Sequence, residues 1–500
     1  MGVKAIGAKL LAKREVAKIK KWSDYPITTQ ESTFRFLVEQ LSNTAFGKVH
    51  SVNNRLLMSD WREAIPITDY EGLKSYIQRI QAGERDVLYP GLPEYFCTTS
   101  GTTSGAKYIP MSDHGITAQI RAARSTLLKY IHDSGNVSFT EGKMIFLQGS
   151  PVMQEANGIK IGRLSGIVAH HVPSYLQGNR LPSMATNCIE DWESKIDAIV
   201  EETAGQDMRL VSGIPPWVQM YFERLLEKTG KACVAEVFPN LSVFAHGGVN
   251  YDPYRSTFHN LIVKNIDSLE TYPASEGFIA FQDNYQKPGL LLNLDAGIFY
   301  EFVPVDEIHN DHPTRLTLQD VEVDVNYALV LNTSSGLWGY IIGDTVKFIS
   351  ISPHRIIVTG RIAHFISAFG EHVITEEVEA SITEIAEKYN LSINEFHVAP
   401  QVNPSSGLPY HEWFVESESD IPVDFDAAVD AALRSRNKYY DDLVSGSVLR
   451  SLVVTKVARG GFSKYMESQG KLGGQNKLPR LANDRAIADQ LNLVPNIPKA

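Results

Sequence analysis

The sequence predicts an α/β protein, with a large N-terminal domain of β-sheets covered by helices and a smaller α+β C-terminal domain. Short β-branched or aromatic runs recur, as at Lys143–Leu147, Leu241–Phe244 and Tyr327–Leu331. Longer amphipathic stretches alternate with them, as at 192–204 and 217–229. Alternation of this kind packs helices on sheets. The pattern also restarts near Ile362, after Gly360-Arg361 closes the last strand-like run of the large domain. That places the boundary between domains 1–361 and 362–500. The second domain is expected to hold helices near 376–388 and 424–435, and strands near 395–399, 411–416 and 451–457.

Composition bounds the function without defining it. The 500 residues are 43% hydrophobic and 21% charged, within the range of a folded globular chain of two or more domains. A formal net charge of -11 disfavours nonspecific binding to nucleic acid or an anionic membrane. Cys97, Cys188 and Cys233 are scattered, with neither zinc spacing nor a disulfide framework. A reducing cytoplasm is therefore the expected location. No run reaches the roughly 18 apolar residues of a membrane span. The basic N-terminus, with Lys4, Lys9, Lys13, Arg14, Lys18, Lys20 and Lys21, interleaves lysine and apolar residues at helical spacing. A surface helix packed on the body is expected there, with a membrane- or partner-binding arm as the alternative.

The segment Thr98–Lys107 carries the strongest chemical signal. It follows the apolar run Tyr95-Phe96-Cys97 and contains four threonines, two serines, two glycines and a lysine. Glycines turn tightly and expose N–H groups, hydroxyls add donors, and a lysine adds charge, which suits a cradle for phosphate oxygens. It is not a Walker A loop. Gly101 and Gly105 enclose three residues, and Ala106 separates Gly105 from Lys107. Thr99, Ser100, Gly101 and Thr102 are the candidate phosphate contacts, and a solvated loop end remains open for Lys107. Arg121 and Arg124 lie just beyond, one turn apart on the next helix. Either suits a substrate carboxylate or a solvated helix face. Further on, Ser212–Trp217 reads as a rigid loop opening a helix, with Trp217 as an apolar wall.

Four further segments follow: His246–Val249, Thr271–Gly277, Gly339–Asp344 and Val358–Arg361. In that order and spacing they resemble the nucleotide-site motifs of the adenylate-forming ligases. Pro239-Asn240-Leu241, Phe299–Pro304 and the tail Gly470–Arg480 resemble one branch, the auxin-responsive promoter family of acyl-acid amido synthetases. Its plant members join hormones such as jasmonate or auxin to amino acids. The resemblance runs from about residue 30 to the C-terminus.

That resemblance implies a luciferase-like large domain, a mobile C-terminal lid, ATP as co-substrate, Mg²⁺, and a small carboxylic acid and an amino acid or other amine as partners. Nucleic acid is not expected as a partner. Glu276 is the implied Mg²⁺ ligand and a catalytic residue, with a helix-start carboxylate as the alternative. Gly247 and Gly248 would let the backbone approach adenine, and Tyr272 would offer it an aromatic face. Thr271 and Ser275 flank these positions. Phe299 lines the nucleotide pocket or lies in the core. Asp344 would accept from the ribose hydroxyls, and Arg361 would donate to the ribose or the α-phosphate. Lys477 is implied as the adenylation lysine, with Lys471 as its neighbour and competitor. Many adenylate-forming enzymes carry Asp or Lys two residues beyond the arginine as the lid pivot. Here that position is Ala363, so the resemblance does not supply the pivot.

The expected reaction is formation of an acyl-AMP with release of pyrophosphate, then attack by an amine to give an amide and AMP. Two alternatives share the nucleotide motifs: an acyl-CoA synthetase, and a nucleotide-binding regulatory protein without turnover.

Overall fold

The computed structural model describes residues 3–99, 107–172, 177–189, 191–248, 251–308, 310–362, 373–402, 404–445, 449–471, 477–482 and 484–491. In chain order the strands are β1 (Tyr95–Thr99), β2 (Lys107–Met111), β3 (Lys143–Phe146), β4 (Gln154–Ala156), β5 (Ile159–Gly162) and β6 (Arg180–Leu181). Next come β7 (Met208–Ser212), β8 (Val243–Gly247), β9 (Asp267–Ala274), β10 (Gly277–Phe281), β11 (Leu290–Leu292) and β12 (Ile298–Pro304). The last are β13 (Asn326–Thr333), β14 (Tyr340–Ile351), β15 (His354–Arg361), β16 (Ile393–Gln401), β17 (Tyr410–Ser417) and β18 (Val453–Lys456). Each expected strand and helix of the C-terminal domain has a counterpart. Those helices are Thr375–Lys388 and Phe425–Arg436.

The chain divides into two compact units, 1–342 with 346–357, and 343–345 with 358–500. The largest sheet has the order β12-β13-β14-β15-β11-β10-β9-β8-β7-β3-β6, and parts of its interior strands β14 and β15, residues 343–345 and 358–361, belong to the second unit. Strands β6, β3, β7, β8 and β9 pair in parallel. Strand β9 then pairs antiparallel with β10, and β10 with β11. The sheet thus changes character at β9. A smaller sheet, β2-β1-β5-β4, stands beside it.

Local sequence explains the covering helices. The helix Asp113–Ser134 opens at Ser112, whose hydroxyl accepts from the Gly115 N–H at 3.1 Å, and stops at Gly135 with φ 71°. Those are an N-cap and a left-handed C-terminal glycine. The basic helix Val3–Asp24 buries Ala5, Ala12, Ile19 and Trp22, and the Ser125 hydroxyl donates to its buried Glu15 at 2.7 Å. It is a packed surface helix, as its periodicity suggested. Among the described residues no helix is long and apolar enough to cross a membrane.

The second unit is built on the sheet β16-β17-β18. Residues alternate along each strand between its two faces. Phe396, Val398, Trp413 and Val415 pack under the helices Thr375–Lys388 and Phe425–Arg436. Ala399 and Phe414 face the other way, into a small cluster with Phe462 and Leu491.

Candidate functional site

Six of the sequence-predicted residues of the first unit, Gly247, Gly248, Thr271, Tyr272, Ser275 and Glu276, lie at or just beyond the carboxyl ends of β8 and β9. These are adjacent parallel strands, paired Gly247 to Thr271 and His246 to Glu270. In α/β sheets ligands bind beyond the carboxyl ends of parallel strands, at a point where the order changes.

Both glycines are structurally required, for different reasons. A Cβ on Gly247 would lie 2.3 Å from the Thr271 carbonyl oxygen, so only glycine lets β8 finish against β9. Gly248 has φ +82°, a left-handed conformation that glycine adopts without strain. The Thr271 hydroxyl donates to the His246 carbonyl oxygen at 2.9 Å and so locks the two strand ends together. Thr271 therefore has a structural task at this position. Tyr272, the next residue, is 9% exposed at the edge of the main core.

Strand β9 ends in a tight hairpin. Ala274 pairs with Gly277, leaving Ser275 and Glu276 at the turn. Gln119, from the helix after β2, donates through Nε2 to the Ala274 carbonyl at 2.7 Å and fixes that turn. Glu276 is half-buried. Its negative charge acts on the Cys97 thiol, which is pushed up first by burial and then by Glu276. Cys97 lies on β1, two residues before Thr99, so the Glu276 charge is felt on the strand that leads into the Ser/Thr/Gly segment. A half-buried hard oxygen donor in that position fits a magnesium ligand.

The root of the Ser/Thr/Gly segment is well defined. Thr99 pairs with Lys107 across the β1–β2 ladder. The Lys107 ammonium lies over the Tyr70 ring at 5.7 Å from its centroid, and the Tyr70 hydroxyl accepts from the Tyr108 N–H at 3.0 Å. Ser100, Gly101 and Thr102 lie outside the described residues, as does Ala363.

Several expectations meet particular surroundings. Phe299 is 2% exposed, with its ring 5.2 Å from that of Phe34, so the core is the environment observed for it. Arg121 is engaged by Asp295, through the backbone carbonyl and a carboxylate at 3.4 Å, and is thus held as an ion pair. Arg124, on the same helix, is exposed. Trp217 is buried near the start of the helix Pro215–Thr229.

Two polar residues that sequence reasoning left without a role stand out. His246 is 3% exposed between the rings of Phe244 and Tyr251, at 4.9 and 4.5 Å. Neither of its ring nitrogens has a hydrogen-bond partner among the described residues. Burial, with Arg255 nearby, pushes its pKa down to about 3. Beside it in register, and on the same face of β9 as Tyr272, is Glu270. Burial, reinforced by Asp252 and opposed by Arg255, pushes the Glu270 carboxyl up to about 7. Buried polar atoms without partners are rare and call for an explanation. No sequence pattern flags them, because a single polar residue in a buried strand leaves no periodic trace.

In the second unit, the Thr345 hydroxyl meets that of Thr359 at 2.8 Å across the β14–β15 hairpin. Asp344 and Arg361 lie at the same open end of that hairpin. Lys477 is exposed. Beyond it the chain joins the edge of β16. The Val398 N–H donates to the Arg480 carbonyl at 2.8 Å, and the Ala482 N–H donates to the Val398 carbonyl at 3.0 Å.

Three family models match this chain: the GH3 family N-terminal domain over residues 15–180, the central domain over 291–361 and the C-terminal domain over 376–486. A jasmonoyl–L-amino acid synthetase of Nicotiana attenuata is 20% identical, over 90% of this chain and 90% of that one. An indole-3-acetic acid-amido synthetase of Arabidopsis thaliana is 31% identical over 83 residues, 16% of this chain and 14% of that one. Among solved structures, the GH3.15 acyl acid amido synthetase in complex with 2,4-DB superposes with a TM-score of 0.80 at 15% identity, covering 98% of both chains. A 2-hydroxyisobutyryl-CoA ligase in the postadenylation state gives 0.57 at 12% identity, over 92% of this chain and 88% of that one. The fold is thus that of the adenylate-forming enzymes, and the matched stretches span most of the sequence: the chain belongs to the GH3 family, the acyl-acid amido synthetases that its motifs resemble.

Proposed function

We propose that this chain is an ATP-dependent amide-forming ligase that adenylates a small carboxylic acid and transfers the acyl group to an amino acid. Beyond family membership, one observation supports the reading most. Gly247, Gly248, Thr271 and Tyr272 lie together at the carboxyl ends of β8 and β9, and the Glu276 charge, at the end of the β9 hairpin, acts on Cys97 of β1.

The acid and ATP are both anionic, so charge must be neutralised and the reactants held in line. A carboxylate oxygen of the acid attacks the α-phosphorus, and pyrophosphate leaves. The amine, having lost its proton, then attacks the acyl carbonyl carbon, and AMP leaves as the amide forms. Thr99 with Ser100, Gly101 and Thr102 holds the β- and γ-phosphates. Glu276 is the ligand for Mg²⁺, which neutralises phosphate charge when bound. Tyr272 offers adenine its face. Glu270, on the same side of β9, is placed to accept a hydrogen bond from an amino group such as that of adenine. Asp344 and Arg361 take the ribose or α-phosphate, and Lys477 supplies the ammonium for the adenylation step. In the domain reading, residues 1–361 bind nucleotide and acid, and 362–500 act as the lid. Trp217 and exposed Arg124 are the acid-side residues. The three cysteines are unpaired, which fits a reducing cytoplasm.

The fold shared with a CoA ligase favours one second reading, with coenzyme A as acceptor. Product analysis separates the two. Enzyme, Mg²⁺, ATP and a panel of aromatic and aliphatic acids are incubated with amino acids or with coenzyme A, and products are identified by mass. The proposal expects an acyl–amino acid amide and one AMP per amide. A thioester in place of the amide would select the second reading. Bound ATP with no AMP under any combination would leave a nucleotide-binding protein without turnover.

A further inference from the structure

The segment that carries Lys477 is anchored to the small sheet at several points, one of which is a buried histidine. Leu478 packs against the cluster containing Phe414 and Phe462, and Leu481 is fully buried on the opposite face. Residues 480–482 pair with Val398 as an added edge strand, with Leu481 facing Val398 in parallel register. The Arg480 guanidinium engages Glu395 and lies 3.6 Å from Glu379, over the Phe396 ring. Pro479 differs from its neighbours. It has no N–H, and its carbonyl falls outside the pairing with Val398. That carbonyl is met instead by Nδ1 of His397 at 2.7 Å.

His397 suits a fixed support. It has no exposed surface, and its ring lies 6.4 Å from that of Phe414, its cross-strand partner on β17. A carbonyl only accepts, so Nδ1 carries the proton and donates. Nε2 has no hydrogen-bond partner among the described residues. Burial holds the imidazole neutral. The Pro479 bond and Asp484 oppose that effect, and Arg485 adds to it. One tautomer, and one hydrogen-bond partner among the described residues, favour a single arrangement of the ring.

We propose that His397 is the positioning residue for Lys477, its Nδ1–H fixing the Pro479 carbonyl two residues beyond the lysine, where the chain joins the β16 edge. The inference rests on the reading of Lys477 as the adenylation lysine. Without that bond the root keeps its edge pairing, but Lys477 and Leu478 leave it at a different angle. A displacement of about 1 Å at a reacting group is enough for a rate loss of the order of a hundredfold.

The test measures acid-dependent ATP–pyrophosphate exchange in the full-length chain carrying His397→Phe, His397→Asn, Lys477→Ala, and Lys477→Ala combined with His397→Phe. Phenylalanine keeps the ring's bulk and removes the donor. Asparagine returns an N–H near the place of Nδ1. We expect His397→Phe to lower kcat for exchange about tenfold or more, with KM for ATP within about twofold. His397→Asn should recover most of that loss, and the double variant should be no slower than Lys477→Ala alone. An unchanged kcat in a folded His397→Phe variant, or a loss that multiplies with that of Lys477→Ala, would overturn the positioning role and leave the lysine's role standing. Equal loss in the Phe and Asn variants, tracking a lowered melting temperature, would reduce His397 to a structural residue. Undiminished exchange in Lys477→Ala would remove the lysine itself, and the inference with it.

Discussion

His246 and His397 are both buried, and both are held neutral by burial, yet their surroundings differ. His246 ends a parallel strand, is flanked by Phe244 and Tyr251, and has neither nitrogen paired among the described residues. His397 lies within an antiparallel pair and donates to the chain that carries Lys477. A neutral imidazole with no protein partner is destabilising until something else supplies one. One that donates to backbone stabilises the segment it holds. Two residues with the same burial and the same direction of pKa shift thus differ in what faces them: aromatic rings for His246, a backbone carbonyl for His397.

The sharpest way to break the comparison is at the strand end itself. Gly247→Ala would drive a Cβ to 2.3 Å from the Thr271 carbonyl, a clash of backbone rather than of a flexible side chain. We expect a loss of about 1–3 kcal/mol in stability and loss of ATP binding, read by denaturant unfolding and calorimetry. Normal ATP affinity in this variant would separate the β8–β9 junction from the nucleotide site.

Opposite signs are expected when each histidine is made apolar. His246→Leu should leave the ligand-free protein as stable as wild type or about 1 kcal/mol more stable, because it removes two buried nitrogens that have no partner among the described residues. The same change should raise KM for a substrate. His397→Leu should destabilise by about 1–3 kcal/mol, because the Pro479 carbonyl is left unpaired. Thermal unfolding of the two variants checks this directly. Destabilisation of the same size in both would dissolve the distinction.

A smaller, pH-dependent effect belongs to Glu270. Its folded-state pKa, pushed up to about 7, lies above the ordinary value of about 4.3. The native state therefore holds an extra proton between those values, and stability falls as pH rises through that window, then levels off. Glu270→Gln should remove the slope and gain about 1–2 kcal/mol above pH 7, after allowing for partial solvent screening. The same variant should bind ATP more weakly if Glu270 accepts from the adenine amino group. Parallel stability–pH curves for wild type and variant would contradict the assignment.

Much of the fold was legible because it is periodic. The alternation around β3, β8 and β13 and the helical stretches of the C-terminal unit were placed within a few residues. The two glycines were legible too, although the structure gives them different work. Gly247 accommodates a neighbouring strand, and Gly248 a left-handed turn. Arg121 was not legible, because its partner Asp295 lies 174 residues away in the chain. His246, Glu270 and His397 escaped for a related reason. Their meaning comes from what does or does not face them across a sheet, which spacing along one strand does not encode.

The measurement that tests the central claim most directly is ATP–pyrophosphate exchange with Mg²⁺ and a panel of aromatic and aliphatic carboxylic acids, run without any acceptor. We expect exchange that depends on one class of acid, vanishes without ATP or Mg²⁺, and drops sharply in Lys477→Ala. Tight ATP binding with no exchange across the whole panel would contradict that claim.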